Sequence, residues 1–285
     1  MCIETRTVEG SLVVEAIRTL YSEACTVPDP RVESLLLTAF HNEQAGPGRD
    51  ALEIELENFQ AARDTGLPIC QDTGTAVVFI ELGCAVCVSG GTLGDLVNEG
   101  VRRACMDMHL RPSQVCSPAG DRTNTMDNTP AVLHLEHVEG HRLKISLLAK
   151  GAGCENVSRS EMLPPFAGGE GISALAEKCV ISGASRACAP VILGIGVGGT
   201  LEVSGILAKK ALLREVGLSN PNLELDALEK KTTARLNATG IGPQGFGGIS
   251  TVLETRILTL PCHMASLPVT VCVECHVHRT ASCEI

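Results

Sequence analysis

Tryptophan is absent from this 285-residue sequence, tyrosine occurs once and phenylalanine five times, so aromatics amount to 2%. A core must therefore be built from Ala, Val, Ile and Leu. The aromatic platforms on which single-stranded nucleic acids stack are also missing. Positive charge is short as well: 23 Lys and Arg stand against 33 Asp and Glu, a net charge of −10. Such a surface repels a phosphate backbone, which argues against a nucleic-acid partner. No apolar run approaches the roughly 20 residues that a spanning helix needs, so no membrane role is expected. The opening MCIETRTVEG has neither the basic start nor the apolar segment of a secretory signal, and a cytoplasmic location is expected. No internal repeat, low-complexity tract or linker stands out.

What is plentiful is cysteine, with 14 residues, in a chain that is 44% hydrophobic and therefore globular. In a reducing compartment, clustered thiols are metal ligands, catalysts or buried filler, and filler is the ordinary fate of any one of them.

Val13, Ile17, Leu20 and Ala24 recur at helical spacing over residues 10–25. A second helix is expected after Pro30, and a third from about Asp50 to Arg63, stopped by Gly66 and Pro68. TAVVFIELG reads as a strand. Thr92 and Asp95 form a capping box for a helix to about Met108. AVLHLEHVEGHRLKISLLA reads as two strands around a turn at Glu139–Gly140. Helices follow at 171–187, from Leu201 to Arg214 before Gly217, and at 223–237, with a strand PVILGIGVGG running into a Gly-rich loop. STVLETRILTL and LPVTVCVEC are the last β-like runs. Long helices mixed with dispersed strands imply an α+β (mixed α/β) fold, here as one domain over residues 1–285.

Gly194, Gly196 and Gly199 satisfy G-x-G-x-x-G after a strand and before a helix. The acidic residue on a second strand that a dinucleotide site needs is not there, because GLSNPNLELDALEKK starts a helix. The glycines either turn amides toward some other anion or let two backbones pack closely. Cys84–Cys87 and Cys272–Cys275 are C-x-x-C pairs, but zinc knuckles normally lie close in sequence and these are far apart. Arg111 in HLRPSQ, Arg122 in GDRTNTMDNTP and Lys150 in LAKGAGCEN supply what a small dicarboxylate would need, guanidinium forks and backbone donors.

PICQDTGTA, LRPSQ, NTMDNTP, KGAGCEN, PVILGIGVGGT, AKKALLREVG, NATGIGPQGFGG and HMASLPV…CHVHR occur in this order. Together they resemble the successive signature blocks of the class I, iron–sulfur-dependent fumarate hydratase family, in its N-terminal domain or alpha subunit. The L-tartrate dehydratase alpha subunit is similar. The resemblance covers about residues 10 to 280.

The resemblance implies a 4Fe–4S cluster held by Cys70, Cys188 and Cys275, with one iron left without a thiolate to act as a Lewis acid on the substrate. It implies that Gln71, Asp72, Arg111 and Gly153 line the substrate pocket, Arg111 as a carboxylate clamp and Asp72 as a polar catalytic helper. A turn or cap residue is the plainer reading of Asp72. It also implies that a separate beta subunit completes the site, as an α2β2 complex, because the C-terminal domain of the family is not in this sequence. The expected reaction is the reversible hydration of fumarate to L-malate. Dehydration of L-tartrate is the alternative, as is a non-catalytic iron–sulfur or zinc-binding scaffold. The sequence departs from the family pattern at Ala152 and Cys154, at ACAP and at His276. Cys154 leans toward the tartrate enzymes, whereas TGTAVVF and CENVS favour fumarate.

Overall fold

A computed structural model of the chain describes residues 5–285. Along the sequence come β1 (Arg6–Glu9), α1 (Gly10–Thr26), α2 (Pro30–Asn42), α3 (Pro47–Thr65), β2 (Thr75–Gly83), β3 (Val86–Ser89) and α4 (Leu93–Asp107). Next are β4 (Val132–Val138), β5 (Leu143–Lys150), α5 (Ala152–Glu155), β6 (Arg159–Leu163), α6 (Gly168–Gly183) and β7 (Val191–Gly199). The remainder is α7 (Leu201–Leu212), α8 (Leu223–Asn237), β8 (Val252–Cys262), β9 (Leu267–Glu274) and β10 (Thr280–Glu284). Helices and mixed sheets place the fold in the mixed α+β class. The chain separates into two compact units: residues through Pro28 with 61–151 and 279–285, and residues 29–60 with 152–278.

The first unit carries a sheet of order β10-β5-β2-β4, in which β2 runs parallel to β4 and antiparallel to β5. Val13, Ile17, Leu20 and Ala24, the helical stripe of α1, are all buried. They join Val97, Val101 and Ala104 of α4 and Val78, Ile80, Ile145 and Leu147 of the sheet in one core. At Gly100 an added Cβ would lie 2.6 Å from the Ile17 Cβ, so this glycine sets how closely the two helices approach. Thr92 caps α4, its hydroxyl accepting from the Asp95 N–H and donating to the Asp95 carboxylate.

The two strands flanking Glu139–Gly140 form as the alternation predicts, but they are not each other's partners. β2 lies between them. The reason is burial: β2 is apolar on both faces and takes the centre, while β4, carrying His134, Glu136 and His137, lies at the edge.

The second unit is built on a sheet of order β6-β9-β7-β8, with β7 parallel to β8 and antiparallel to β9. Gly194 and Gly196 alternate on the face of β7 that meets α7. A Cβ there would lie 2.1 Å from the Ala208 carbonyl oxygen and 2.0 Å from that of Ser204. Two of the three glycines of G-x-G-x-x-G thus let a helix backbone close onto a strand. The helix they admit ends at Leu212, two residues before the expected Arg214. α8 occupies the expected residues, its Asn222 cap accepting from the Glu224 and Leu225 N–H groups.

Candidate functional site

In the first unit, Cys70–Gly74 is the loop that enters β2. Its main chain, with that of Ile69 just before it, is held from three directions. The Arg279 guanidinium donates to the carbonyl oxygens of Asp72 and Thr73, the latter at 3.1 Å. The buried Tyr21 hydroxyl donates to the Gly74 carbonyl at 3.1 Å, and the Ile69 N–H donates to the Cys25 carbonyl. Gly74 itself is required: its φ is +77°, and a Cβ would lie 2.8 Å from the Lys150 carbonyl carbon. Asp72 Oδ1 accepts from the Gly74 N–H at 2.9 Å, so the carboxylate serves as the turn residue of the plainer reading. Its Oδ2 lies toward Gly151.

Arg111 is brought to this loop by its backbone. Its carbonyl accepts from the Thr73 hydroxyl at 2.8 Å and from the Asn128 side-chain amide at 3.1 Å. Gln114, three residues on, donates to the Thr75 hydroxyl at 2.6 Å. Asn128 is fully buried with φ 58° and also donates to the Cys105 sulfur. Lys150, at the end of β5, is buried opposite Thr75 of β2. Gln71, Asp72, Arg111 and Lys150 therefore belong to one neighbourhood of the first unit, with Gln71 and Arg111 exposed.

In the second unit, Cys188 lies between a 3-10 turn (Ala184–Arg186) and β7, exposed and with φ 54°. Cys275 directly follows β9 and is buried. The two are linked through His276, whose Nδ1 lies 3.1 Å from the Cys188 carbonyl oxygen. A carbonyl only accepts, so Nδ1 carries the proton. The same Nδ1 is 3.3 Å from Glu55 Oε1, which also accepts from the Gln244 side chain at 2.6 Å. The Gln244 N–H donates to the Ala189 carbonyl at 2.7 Å.

Burial pushes His276 down to about 4, against the opposing pull of the Cys188 carbonyl. It pushes Glu55 up to about 8, an effect that the Gln244 hydrogen bond reduces and the nearby Cys275 thiol increases. The pair is at ion-pair distance, yet at neutral pH it is a neutral imidazole beside a carboxylic acid.

Cys154, on α5, is buried against the same region. Its sulfur, a Glu274 carboxylate oxygen and the Cys275 sulfur all lie within 4.8 Å of one another. The Cys154 thiol also donates to the Ala187 carbonyl at 3.6 Å. Gly153 is exposed, and a Cβ there would be 3.4 Å from the Arg186 carbonyl oxygen. Of the C-x-x-C cysteines, Cys84 and Cys87 are exposed in the first unit and Cys272 is buried in the second, and the Cys154 group includes none of them.

The sequence reading passed over Arg279, Asn128 and Tyr21 in the first unit and Glu55, Gln244 and Glu274 in the second. Arg279 and Asn128 lie inside blocks already quoted, CHVHR and NTMDNTP. Glu55 sits in an ordinary helical stretch that gives no signal of a buried acid.

The profile of the family described as Fumarate hydratase (Fumerase) matches residues 14–284. The chain belongs to the Fumerase family. A protein of Methanocaldococcus jannaschii, provisionally named L(+)-tartrate dehydratase subunit alpha, is 35% identical over 274 residues, covering 94% of this chain and 96% of that one. The L(+)-tartrate dehydratase subunit alpha of Escherichia coli (strain UTI89 / UPEC) is 31% identical over 247 residues, 85% of this chain and 80% of its own. Membership of the Fumerase family makes this chain part of a hydro-lyase. Among the described residues, no helix is long and apolar enough to cross a membrane.

Proposed function

We propose that this Fumerase chain is the cluster-bearing subunit of a hydro-lyase that interconverts fumarate and L-malate, with a separate beta subunit completing the site in an α2β2 complex. Cys70, Cys188 and Cys275 would hold a 4Fe–4S cluster. The observation that carries this is the His276 link, which ties the Cys188 main chain to the residue beside the Cys275 thiol. The donor set suits the group: Cys275 is buried beside the Cys154 thiol and a Glu274 carboxylate oxygen, a group that could hold a metal ion, and Cys188 is exposed on a loop with its carbonyl fixed. When bound, a cluster with one iron free of thiolate supplies Lewis acidity for the oxygens of a diacid.

The chain's own residues do the rest. Arg111 offers a bidentate fork to one substrate carboxylate. Gln71 and the Gly153 N–H add donors. Asp72, whose Oδ1 accepts from the Gly74 N–H, is the carboxylate that takes or gives a proton. Arg279 keeps this loop in place through its carbonyls. TGTAVVF and CENVS favour fumarate. A second reading, L-tartrate dehydration, is supported by the names of the relatives and by Cys154.

The test is anaerobic co-expression with a candidate beta subunit, then assays with fumarate, L-malate and L-tartrate. Turnover of fumarate and L-malate is expected. Turnover of L-tartrate alone would transfer the assignment to the second reading. A complex that holds zinc, or that carries its cluster and turns over none of the three, would make the chain a scaffold.

A further inference from the structure

The glycine-rich block NATGIGPQGFGG has no part in the proposed chemistry, yet its Gln244 reaches the Cys188 loop. The Gln244 N–H donates to the Ala189 carbonyl at 2.7 Å, and its side-chain amide donates to Glu55 Oε1 at 2.6 Å. The same Oε1 lies 3.3 Å from His276 Nδ1, which donates to the Cys188 carbonyl at 3.1 Å. One carboxyl oxygen on α3 thus joins the two donors that hold the main chain at consecutive residues. Phe59, one turn further along α3 and fully buried, has its ring centroid 6.4 Å from that of His276. All of these residues belong to the second unit.

The two ends of this chain of bonds are strained. Cys188 has φ 54° and Gln244 φ 52°, a left-handed backbone that only glycine adopts freely. Such a conformation persists where its surroundings over-determine it. Glu55 is 5% exposed, so water does not compete for Oε1 and the bonds to it are strengthened by the low local dielectric. His276, which makes the link to Cys188, is one of the positions at which this sequence departs from the family pattern.

We propose that Glu55 is a positioning residue: through His276 and Gln244 it sets the Cys188–Ala189 main chain, and with it the thiol that Cys188 offers to the cluster. The part concerning the cluster rests on the hydro-lyase reading, whereas the hold on the loop does not. A loop in place for only a fraction of the time binds its cluster more weakly by that fraction.

The test compares the full chain, unaltered and as Glu55→Ala and Glu55→Gln, under anaerobic conditions. Glutamine keeps Oε1 as an acceptor for both donors, and alanine removes it. Hydrogen exchange of the cluster-free chain is read over residues 184–191 and 242–247, which carry the Ala187, Ala189, Val191 and Gln244 amide bonds. It is expected to quicken by about tenfold or more in Glu55→Ala and to stay near the parent in Glu55→Gln. Ser173→Ala, which removes a buried hydroxyl pair with Thr232 elsewhere in the unit, is the control for general loosening and should leave both segments unchanged. After reconstitution with iron and sulfide, a chelator should strip the cluster from Glu55→Ala faster by a similar factor, and from Glu55→Gln at the parent's rate.

No quickening in Glu55→Ala, or an equal quickening in Glu55→Gln or Ser173→Ala, would overturn the proposal. A loosened loop whose cluster is kept as firmly as in the parent would overturn the role toward the cluster. Should Glu55→Ala fail to fold, Gln244→Asn takes its place: asparagine tolerates a positive φ but is one methylene shorter, and the same quickening is expected, its absence counting against the proposal. An unaltered chain that takes up no cluster, in which Glu55→Ala still loosens the loop, would sink the hydro-lyase reading and leave the hold on the loop. A full cluster in a chain whose loop does not depend on Glu55 would do the reverse.

Discussion

Arg279 holds Asp72 by its backbone. The guanidinium donates to the Asp72 and Thr73 carbonyls across more than 200 residues of sequence, and it is almost fully buried. The loop that carries Cys70 is thereby fixed from the far end of the chain. One guanidinium nitrogen, Nη1, makes both bonds, and the flexible lysine stem does not hold its ammonium at that point as the planar guanidinium does. Arg279→Lys is expected to lower unfolding free energy by about 2–4 kcal/mol, read by urea denaturation, since hydrogen bonds to charged groups are among the stronger ones. An unchanged midpoint would show that the loop holds its shape without the guanidinium.

Asp72 has two jobs that one substitution can separate. Asparagine can still accept from the Gly74 N–H and keep the turn, but it cannot carry a proton. Asp72→Asn should leave the thermal midpoint near that of the parent and reduce turnover by about 10²–10⁴-fold in the assembled enzyme. Equal loss of stability and activity would return Asp72 to a purely structural role.

The cysteines are expected to divide cleanly. Anaerobic iron and sulfide analysis should find the cluster lost in Cys70→Ser, Cys188→Ser and Cys275→Ser and kept in Cys84→Ser and Cys87→Ser, whose thiols are exposed. Intact iron content in Cys188→Ser would refute the ligand set.

Burial gives another set of thiols a pH signature. It raises Cys25 and Cys105 to about 11 and Cys179 to about 12, from an ordinary 9.0. A raised acid keeps its proton longer in the folded chain, so its stabilisation is complete below pH 9 and is lost as pH climbs toward the folded value. Each thiol contributes a decline of about 1.4 kcal/mol per pH unit in that window. Denaturation series from neutral to alkaline pH should show it, and Cys179→Ala should flatten it. A stability that stays level through this range would contradict the burial of these groups.

Gly196 tests the packing role of the glycine run. A methyl group there meets main-chain atoms of α7, which cannot rotate away. Gly196→Ala is expected to cost more than about 3 kcal/mol, at or above the usual range for overpacking, by chemical denaturation. Gly205 has open space around it, so Gly205→Ala serves as the control that should not destabilise.

Local rules in the sequence located what local physics decides. The apolar stripe of α1, the Thr92 cap of α4 and the two-sided apolar run of β2 each declared themselves, and each formed. β1, β3, β6 and β10 did not, because they have only four or five residues each and their sheet contacts come from chain far away. The pairing of β4 and β5 with β2 was hidden for the same reason: the turn at Gly140 looks like a hairpin, and only burial of the third strand rules it out. At the candidate site, Cys70, Arg111, Cys188 and Cys275 were named only through the resemblance of the motif blocks. Residues that act on backbone carbonyls, such as Tyr21, Asn128 and Arg279, leave no spacing to read, since their partners are set by the fold. Glu55 and Glu274 carry no mark of burial in the sequence, and both are buried.

The fixing of β5 by β10, and of the Cys70 loop by Arg279, has a consequence for biosynthesis. Residues 279–285 belong to the first unit, yet the ribosome makes them after every residue of the second. The unit begun first is therefore the last that can be finished, and the nascent loop bearing Cys70 must wait, unclamped, until translation has passed Arg279.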